Sequence, residues 1–385
     1  MYRQKRFDEC VKEVKSKLKK SPNSLHLLNY QAMAYSALKR DKEALTSYQK
    51  ILKKDPSLAG PHYNMGIILK RNGRIEESID HYKKAISLKP DYVQAYNNLG
   101  VTYKDSEKYD DAIKMFTKAK ELQPDHQNSY YNLALIKKEQ GLSEEAVTLL
   151  LKVLDLNPEH SEANYLYCLI NLQVGRWKEG WKGYEYRWKI SPHDKVIWPF
   201  RDKPVWKGEK GKRVVLWKEQ GIGDEIIFLS LVTEVKEMCA TLCVYVDPRL
   251  QSLCRRAMPE INFITDIEDL QNVECDYHLP MGSVPGLVRN DISDFDRTVK
   301  GYLKADPKRV EAIRKELNLD GKTVIGISWK SFKTKYKTKS VQLRDMERIF
   351  TGLDVVLVNL QYGDVEDEIR EFKDSTGIEV VQCSS

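Results

Sequence analysis

Tyr96-Asn-Asn-Leu99-Gly100-Val-Thr-Tyr103, followed by Ala112, Phe116, Ala119 and Pro124, is the stretch from which the rest of the chain can be read. Its residue types recur at a fixed step: Pro22, Pro56, Pro90, Pro124, Pro158 and Pro192 are each 34 residues apart. Two more columns keep that step with small side chains. One is Ala32, Gly66, Gly100, Ala134 and Cys168; the other is Cys10, Ala44, Ser78, Ala112, Ala146 and Gly180. A bulky column, Val14, Tyr48, Tyr82, Phe116, Leu150 and Tyr184, runs in phase with them. Small residues in two columns let two antiparallel helices approach closely, and the bulky column fills the space between successive pairs. Proline lacks an N–H and disfavours helical geometry in the residue before it, so it separates one pair from the next. A single pair cannot bury its apolar face, so stacking the pairs makes the core.

A 34-residue period with this pattern resembles the tetratricopeptide repeat. The implied fold class is an α-solenoid over residues 1–192. Residues 1–20 read as the second helix of a repeat, either a cap or the start of a chain that begins inside a longer array. Turns between paired helices are expected at Asn72-Gly73, Gly141 and Gly175. Asn64, Asn98 and Asn132 hold one position in three consecutive repeats. A column of amides can hydrogen-bond an extended peptide backbone, or each can satisfy a neighbouring turn or face water. The resemblance to the repeats of O-linked N-acetylglucosamine transferases implies the peptide-groove role, with a protein or peptide as partner.

The last repeat departs from the others. Trp177-Lys-Glu-Gly180-Trp181-Lys-Gly-Tyr184-Glu-Tyr-Arg-Trp188 carries more apolar surface than one stripe of a helix needs. It is expected to dock against the next domain. Residues 193–211 form a linker in which Trp198 and Trp206 pin the chain to a surface. From Lys212 strands and helices alternate, which argues for doubly wound parallel sheets. Strands are expected at Arg213–Trp217, Leu242–Val246, Ile261–Ile264, Tyr277–Leu279, Thr323–Ser328, Val355–Leu360 and Glu379–Val381. Helices are expected from about Glu225 and at Pro248–Met258, Pro307–Leu317, Val341–Phe350 and Glu366–Lys373.

The totals exclude several classes. A net charge of +7 over 385 residues is too small an excess to indicate nucleic acid. No apolar run is long enough to span a bilayer, and no signal peptide opens the chain. Seven scattered cysteines without a completing His or Cys pair read as reduced core thiols, with no metal site and a cytoplasmic location.

Glu219-Gln220-Gly221-Ile222-Gly223-Asp224-Glu225 links an expected buried strand to a helix. Its glycines, Gly221 and Gly223, permit close backbone approach to a ligand, and the helix start offers free N–H groups. By composition alone Asp224 reads as an ordinary N-cap. The passage from Trp177 through Pro204-Val-Trp206 to Val215-Leu-Trp-Lys-Glu-Gln-Gly-Ile-Gly-Asp224 resembles bacterial tetratricopeptide-repeat proteins carrying a glycosyltransferase domain. That domain is similar to the heptosyltransferases and, more distantly, to O-linked N-acetylglucosamine transferase. His278-Leu-Pro-Met-Gly-Ser-Val-Pro285, Gly326-Ile-Ser-Trp-Lys330, Lys339-Ser340 and Asn359-Leu-Gln-Tyr-Gly363 fit as well.

The resemblance implies a GT-B fold of two Rossmann-like lobes, 212–306 and 307–385, the second incomplete. It implies inverting, metal-independent sugar transfer from a nucleotide-sugar donor, with no other cofactor. Asp224 would be the general base toward the acceptor hydroxyl. Gly221, Gly223, Lys330, Ser331, Lys339, Ser340 and Gln361 would bind the donor, whose leaving diphosphate needs cations. Lys333, Lys335 and Lys337 read as a solvated loop. Asp364, Glu366 and Asp367 look like the acidic first turn of a helix. The family's donor site continues past the strand near Val380, where this chain stops. Either the chain is a fragment, or another chain completes the site, or transfer activity is lost; the alternative reading is a protein-binding repeat scaffold with an inactive, truncated glycosyltransferase remnant.

Overall fold

A computed structural model describes residues 2–190, 200, 202–295, 301–319, 321–330 and 340–382, with side chains from residue 6 onward. The repeat region is a succession of helix pairs. It runs α1 (Tyr2–Lys20), α2 (Leu25–Ala37), α3 (Asp41–Lys54), α4 (Ala59–Arg71), α5 (Ile75–Leu88), α6 (Val93–Asp105) and α7 (Tyr109–Leu122). It continues with α8 (Gln127–Glu139), α9 (Ser143–Leu156), α10 (Ser161–Gln173), α11 (Trp177–Tyr184) and α12 (Arg187–Ile190). First helices of successive repeats also touch one another, α4 with α6 and α6 with α8.

The columns do what their sizes require. Ala32, Ala44, Ala112, Ala134, Ala146 and Cys168 have no exposed surface. A Cβ at Gly100 would stand 2.7 Å from the Phe116 ring, and one at Gly66 2.7 Å from the Tyr82 ring. The glycine is thus the floor on which the aromatic of the second helix lies. The turn column is only half legible in the sequence. Gly73, Gly141 and Gly175 have φ of 75°, 77° and 80°, and Lys39 and Glu107 occupy the same phase at 58° and 59°. A side chain in this left-handed region is strained. Replacing Glu107 by Gly should therefore raise stability by up to about 1 kcal/mol, the relieved strain exceeding the added chain entropy of glycine. Urea unfolding followed by far-UV circular dichroism measures this.

The α/β part runs in the order β1 (Arg213–Trp217), α13 (Ile222–Leu229), α14 (Val232–Met238), β2 (Thr241–Tyr245), α15 (Gln251–Ala257), β3 (Asn262–Ile264), α16 (Ile267–Gln271) and β4 (Tyr277–Pro280). Then come α17 (Pro285–Val288), α18 (Pro307–Glu316), β5 (Val324–Ile327), α19 (Glu347–Phe350), β6 (Val356–Asn359), α20 (Glu366–Thr376) and β7 (Val380–Val381). Two sheets result, ordered β3-β2-β1-β4 and β5-β6-β7. β1 with β2, β2 with β3, β5 with β6 and β6 with β7 pair in parallel. Val214, Val215, Leu216 and Trp217 of β1 are all buried, the continuous apolar run that a parallel strand covered on both faces requires.

Several expected boundaries shift. The helix expected from Glu225 starts at Ile222, because Gly221 takes the extended N-cap conformation. Asp224 is therefore in the first turn and is not the cap. A 3-10 turn at Pro248–Leu250 precedes α15, with the Asp247 carboxylate accepting from the Arg249 N–H. The helix expected at Val341–Phe350 is a 3-10 turn at Leu343–Met346 running into the short α19.

The chain divides into two compact units: Met1–Arg201 with Leu279–Arg297, and Asp202–His278 with Thr298–Ser385. In the first unit the aromatic load of α11 is covered by the segment just after β4. Trp181 Nε1 donates to the Arg289 carbonyl at 2.6 Å. The Trp177 and Phe295 rings stand 4.8 Å apart, and the Arg187 guanidinium donates to Ser283 Oγ at 2.7 Å. Residues 281–295, expected within the first α/β lobe, thus pack at the end of the solenoid. In the second unit Trp206 is buried and donates its backbone N–H to the His278 carbonyl at 2.8 Å. Val205 adds a parallel bridge to His278, so this part of the linker is pinned; Trp198 lies outside the described residues.

Candidate functional site

In the repeat unit the asparagine column is half-buried on the first helices, and each amide reaches the preceding repeat. Asn64 hydrogen-bonds with the Tyr48 hydroxyl, whose pKa burial pushes up to about 12 against that bond. Asn98 Nδ2 donates to the Tyr63 hydroxyl at 3.0 Å and also meets the Tyr82 hydroxyl. Asn132 Nδ2 donates to Asn97 Oδ1 at 3.2 Å. The column therefore knits repeats together through its donors, which fits the satisfied-neighbour reading. The acceptors such a column could offer a peptide N–H are its carbonyl oxygens.

Beside it lies a cavity of about 360 Å³ lined by Leu25, His26, Asn29, Leu58, Pro61 and Asn64 among others. Tyr30 and Met33, 58% and 51% exposed, continue this apolar surface along α2. Sequence reasoning missed them. The available signal was that α2 places apolar residues, Tyr30 and Met33 among them, beyond the one face that a packed helix needs to bury. At the far end of the first helices, Lys70 and Lys104 both pair with Asp105, at 2.7 and 3.1 Å. Burial alone would raise the Asp105 carboxyl; the two lysines hold it below its usual value.

In the α/β unit, Asp224 is exposed in the first turn of α13, at the carboxyl end of β1. A Cβ at Gly223 would meet nothing within 4 Å, and one at Gly221 only Asp224 Oδ2 at 3.6 Å. The chain's own packing does not demand either glycine. The buried carboxylate here is Glu225, which sequence reasoning passed over. It is 3% exposed, accepts the Asp247 N–H at 2.9 Å, and burial raises its pKa. Glu225 and Leu229 share the inward face of α13 one turn apart, which was the legible signal.

Two of the expected donor-binding residues near the second sheet, Gln361 and Lys330, have partners within the chain. Gln361 is 5% exposed, and its Oε1 accepts from Ser328 Oγ, the Trp329 N–H and the Lys330 N–H at 3.0, 3.0 and 2.9 Å. It fixes the loop leaving β5. The Lys330 ammonium pairs with Glu368 on α20, which also accepts from Trp329 Nε1 at 2.7 Å. Burial opposes ionisation of Glu368, and these bonds hold its pKa down. Ser340 is half-buried; Ser331 and Lys339, like Lys333, Lys335 and Lys337, lie outside the described residues. Among the described residues no three His, Cys, Asp or Glu could hold a metal ion together, and no helix is long and apolar enough to cross a membrane. Cys168 and Cys243 are buried thiols pushed up to about 12 by burial.

Four histidines set an acid limit. Burial lowers His62 from 6.5 to about 4 and also lowers His81, His126 and His278. For a base whose folded pKa lies below its unfolded value, the unfolded chain binds more protons, so stability rises with pH. Thermal stability should therefore be flat between about pH 7 and 8 and fall as pH drops from about 6.5 toward 4. A series of melting temperatures across that range checks the sign.

Comparison with known proteins agrees with the helical periodicity. A TPR repeat model matches residues 68–107, and tetratricopeptide repeat models match 30–57, 93–126 and 127–160. Protein FlbA of Caulobacter vibrioides is 29% identical over 236 residues, covering 55% of this chain and 39% of its own length. The chain thus spans about two fifths of that relative. Among solved structures, MamA is 26% identical, covering 40% of this chain and 91% of its own at a TM-score of 0.38. YrrB, described as a TPR protein with an unusual peptide-binding site, is 18% identical, with coverage of 47% and 93% and a TM-score of 0.38. Residues 30–57 and 68–160 of this chain are tetratricopeptide repeats, and its helical unit is the solenoid they build.

Proposed function

We propose that the chain is a protein-binding scaffold whose repeats hold an extended segment of a partner along the first helices. The observation that carries this is the in-phase row Asn64, Asn98 and Asn132 on α4, α6 and α8, beside an apolar hollow at α2. Amide carbonyls at a regular step suit a peptide backbone, and the hollow suits one apolar side chain. The test is capture of extended peptides from an array by the full chain. A peptide that binds should lose about tenfold in affinity, roughly one hydrogen bond's worth of free energy, on Asn98→Ala with Asn132→Ala. Unchanged affinity in a folded double variant would remove the row from the reading.

A second reading, sugar transfer by lobes at 212–306 and 307–385, is favoured by the exposed Asp224 beside two glycines that the packing does not require. Asp224 would take the acceptor proton, and Lys330 would have to leave Glu368 to meet a diphosphate. Calorimetry with nucleoside diphosphates separates the two readings, heat with one of them supporting transfer and none supporting the scaffold alone.

A further inference from the structure

His62 on α4 and His81 on α5 face each other within one repeat, away from the asparagine row. Their Nδ1 atoms are 2.9 Å apart, their ring centroids 5.1 Å apart, and their planes inclined by 37°. Both rings are half-buried. As neutral imidazoles they share one hydrogen bond, one Nδ1 donating and the other accepting. The same spacing suits another use. Two nitrogens in adjacent positions of a tetragonal ion, each about 2.0 Å from it, stand about 2.8 Å apart, whereas a tetrahedral ion needs about 3.3 Å. We propose that His62 and His81 form a two-imidazole chelate for a divalent copper or nickel ion, bound through both Nδ1 atoms.

The surroundings set its character. Glu77 and Asp80 on α5 act electrostatically on His81 in favour of positive charge; Arg74 opposes it there, and Lys84 opposes it at His62. Since no third protein ligand stands close among the described residues, water fills the remaining positions and the ion exchanges readily. The rings are neutral near pH 7, so loading needs a tautomer shift and a turn of both rings that brings the two nitrogen lone pairs, aimed at each other in the hydrogen bond, onto one ion. The donating ring moves its proton from Nδ1 to Nε2, and no net proton is released. A bound ion ties α4 to α5 and raises the melting temperature by mass action.

The experiment titrates Cu²⁺ and, separately, Ni²⁺ or Zn²⁺ into the full chain at pH 7.5, with calorimetry, Cu²⁺ electron paramagnetic resonance and thermal melts. The expected result is one equivalent of Cu²⁺ with two nitrogen couplings, a raised melting temperature, and weaker binding of Zn²⁺. His62→Gln and His81→Gln should each lose at least tenfold in Cu²⁺ affinity, and His160→Gln, at the N-cap of α10 three repeats away, should lose nothing. Circular dichroism identifies any variant that does not fold, and the other then decides. Wild-type affinity in a folded His81→Gln or His62→Gln chain, or a resonance spectrum with a single imidazole, overturns the proposal.

Discussion

Replacing Phe116 by Ala lowers the stability of the repeat unit by about 3–5 kcal/mol, the range for truncating a fully buried aromatic. The ring has no exposed surface and packs in one cluster with Tyr82, Leu99, Tyr103, Leu133 and Ile136. The site cannot collapse to heal the hole. Its floor is Gly100, with no side chain to swing in, and its flank is Ala112, already fully buried. Position matters as much as volume. In a repeat array each pair is stabilised mainly by its neighbours, so a break at α7 uncouples α2–α5 from α8–α11. Guanidinium unfolding by far-UV circular dichroism should split the repeat unit's own transition in two. Phe116→Leu, which refills most of the volume, should cost much less; a loss below about 1.5 kcal/mol for Phe116→Ala would mean that the helices close over the gap.

Replacing Trp217 by Ala costs the α/β unit a similar amount, about 3–5 kcal/mol. The side chain is 1% exposed at the end of β1, and its Nε1–H donates to His278 Nδ1 at 3.0 Å. Trp217→Phe separates the two contributions. It keeps much of the ring but removes the donor, so about 1–3 kcal/mol should remain as the cost of the lost bond. Burial keeps His278 neutral, and the Trp217 bond, in which Nδ1 accepts, requires the uncharged ring. The Trp217→Phe variant should therefore lose part of the acid sensitivity contributed by His278. Urea unfolding of both variants at pH 7.5 and pH 5.5 reads this out.

The repeats are legible because they recur. The proline, small and bulky columns determine helix lengths, turns and packing partners together, so every repeat supports the reading of the next. The turn column is partly hidden because Lys39 and Glu107 stand where glycine is expected; only φ reveals that they share its conformation. The α/β part has no internal period. Its strands show as apolar runs, to within a residue or two of their ends. The helix start at Ile222 escaped the sequence reading because Gly221, a weak cap signal, outranked Asp224 locally. Site residues are least legible. Gln361 and Lys330 stand out for their chemistry, yet three donors converge on one and a carboxylate pairs with the other. No sequence pattern records which polar groups the fold itself consumes. Glu225 illustrates the converse: a charged residue beside a more conspicuous one proves to be the buried group.

On the proposed scaffold reading, the first helices of consecutive repeats form the surface a partner segment occupies. Hydrogen–deuterium exchange on the full chain, with and without a captured peptide at saturating concentration, tests it most directly. Slowed exchange across α4, α6 and α8 together, with the α/β unit unchanged, is the predicted result. Protection confined to Asp202–His278 and Thr298–Ser385, with those three helices exchanging as in the free chain, would contradict it.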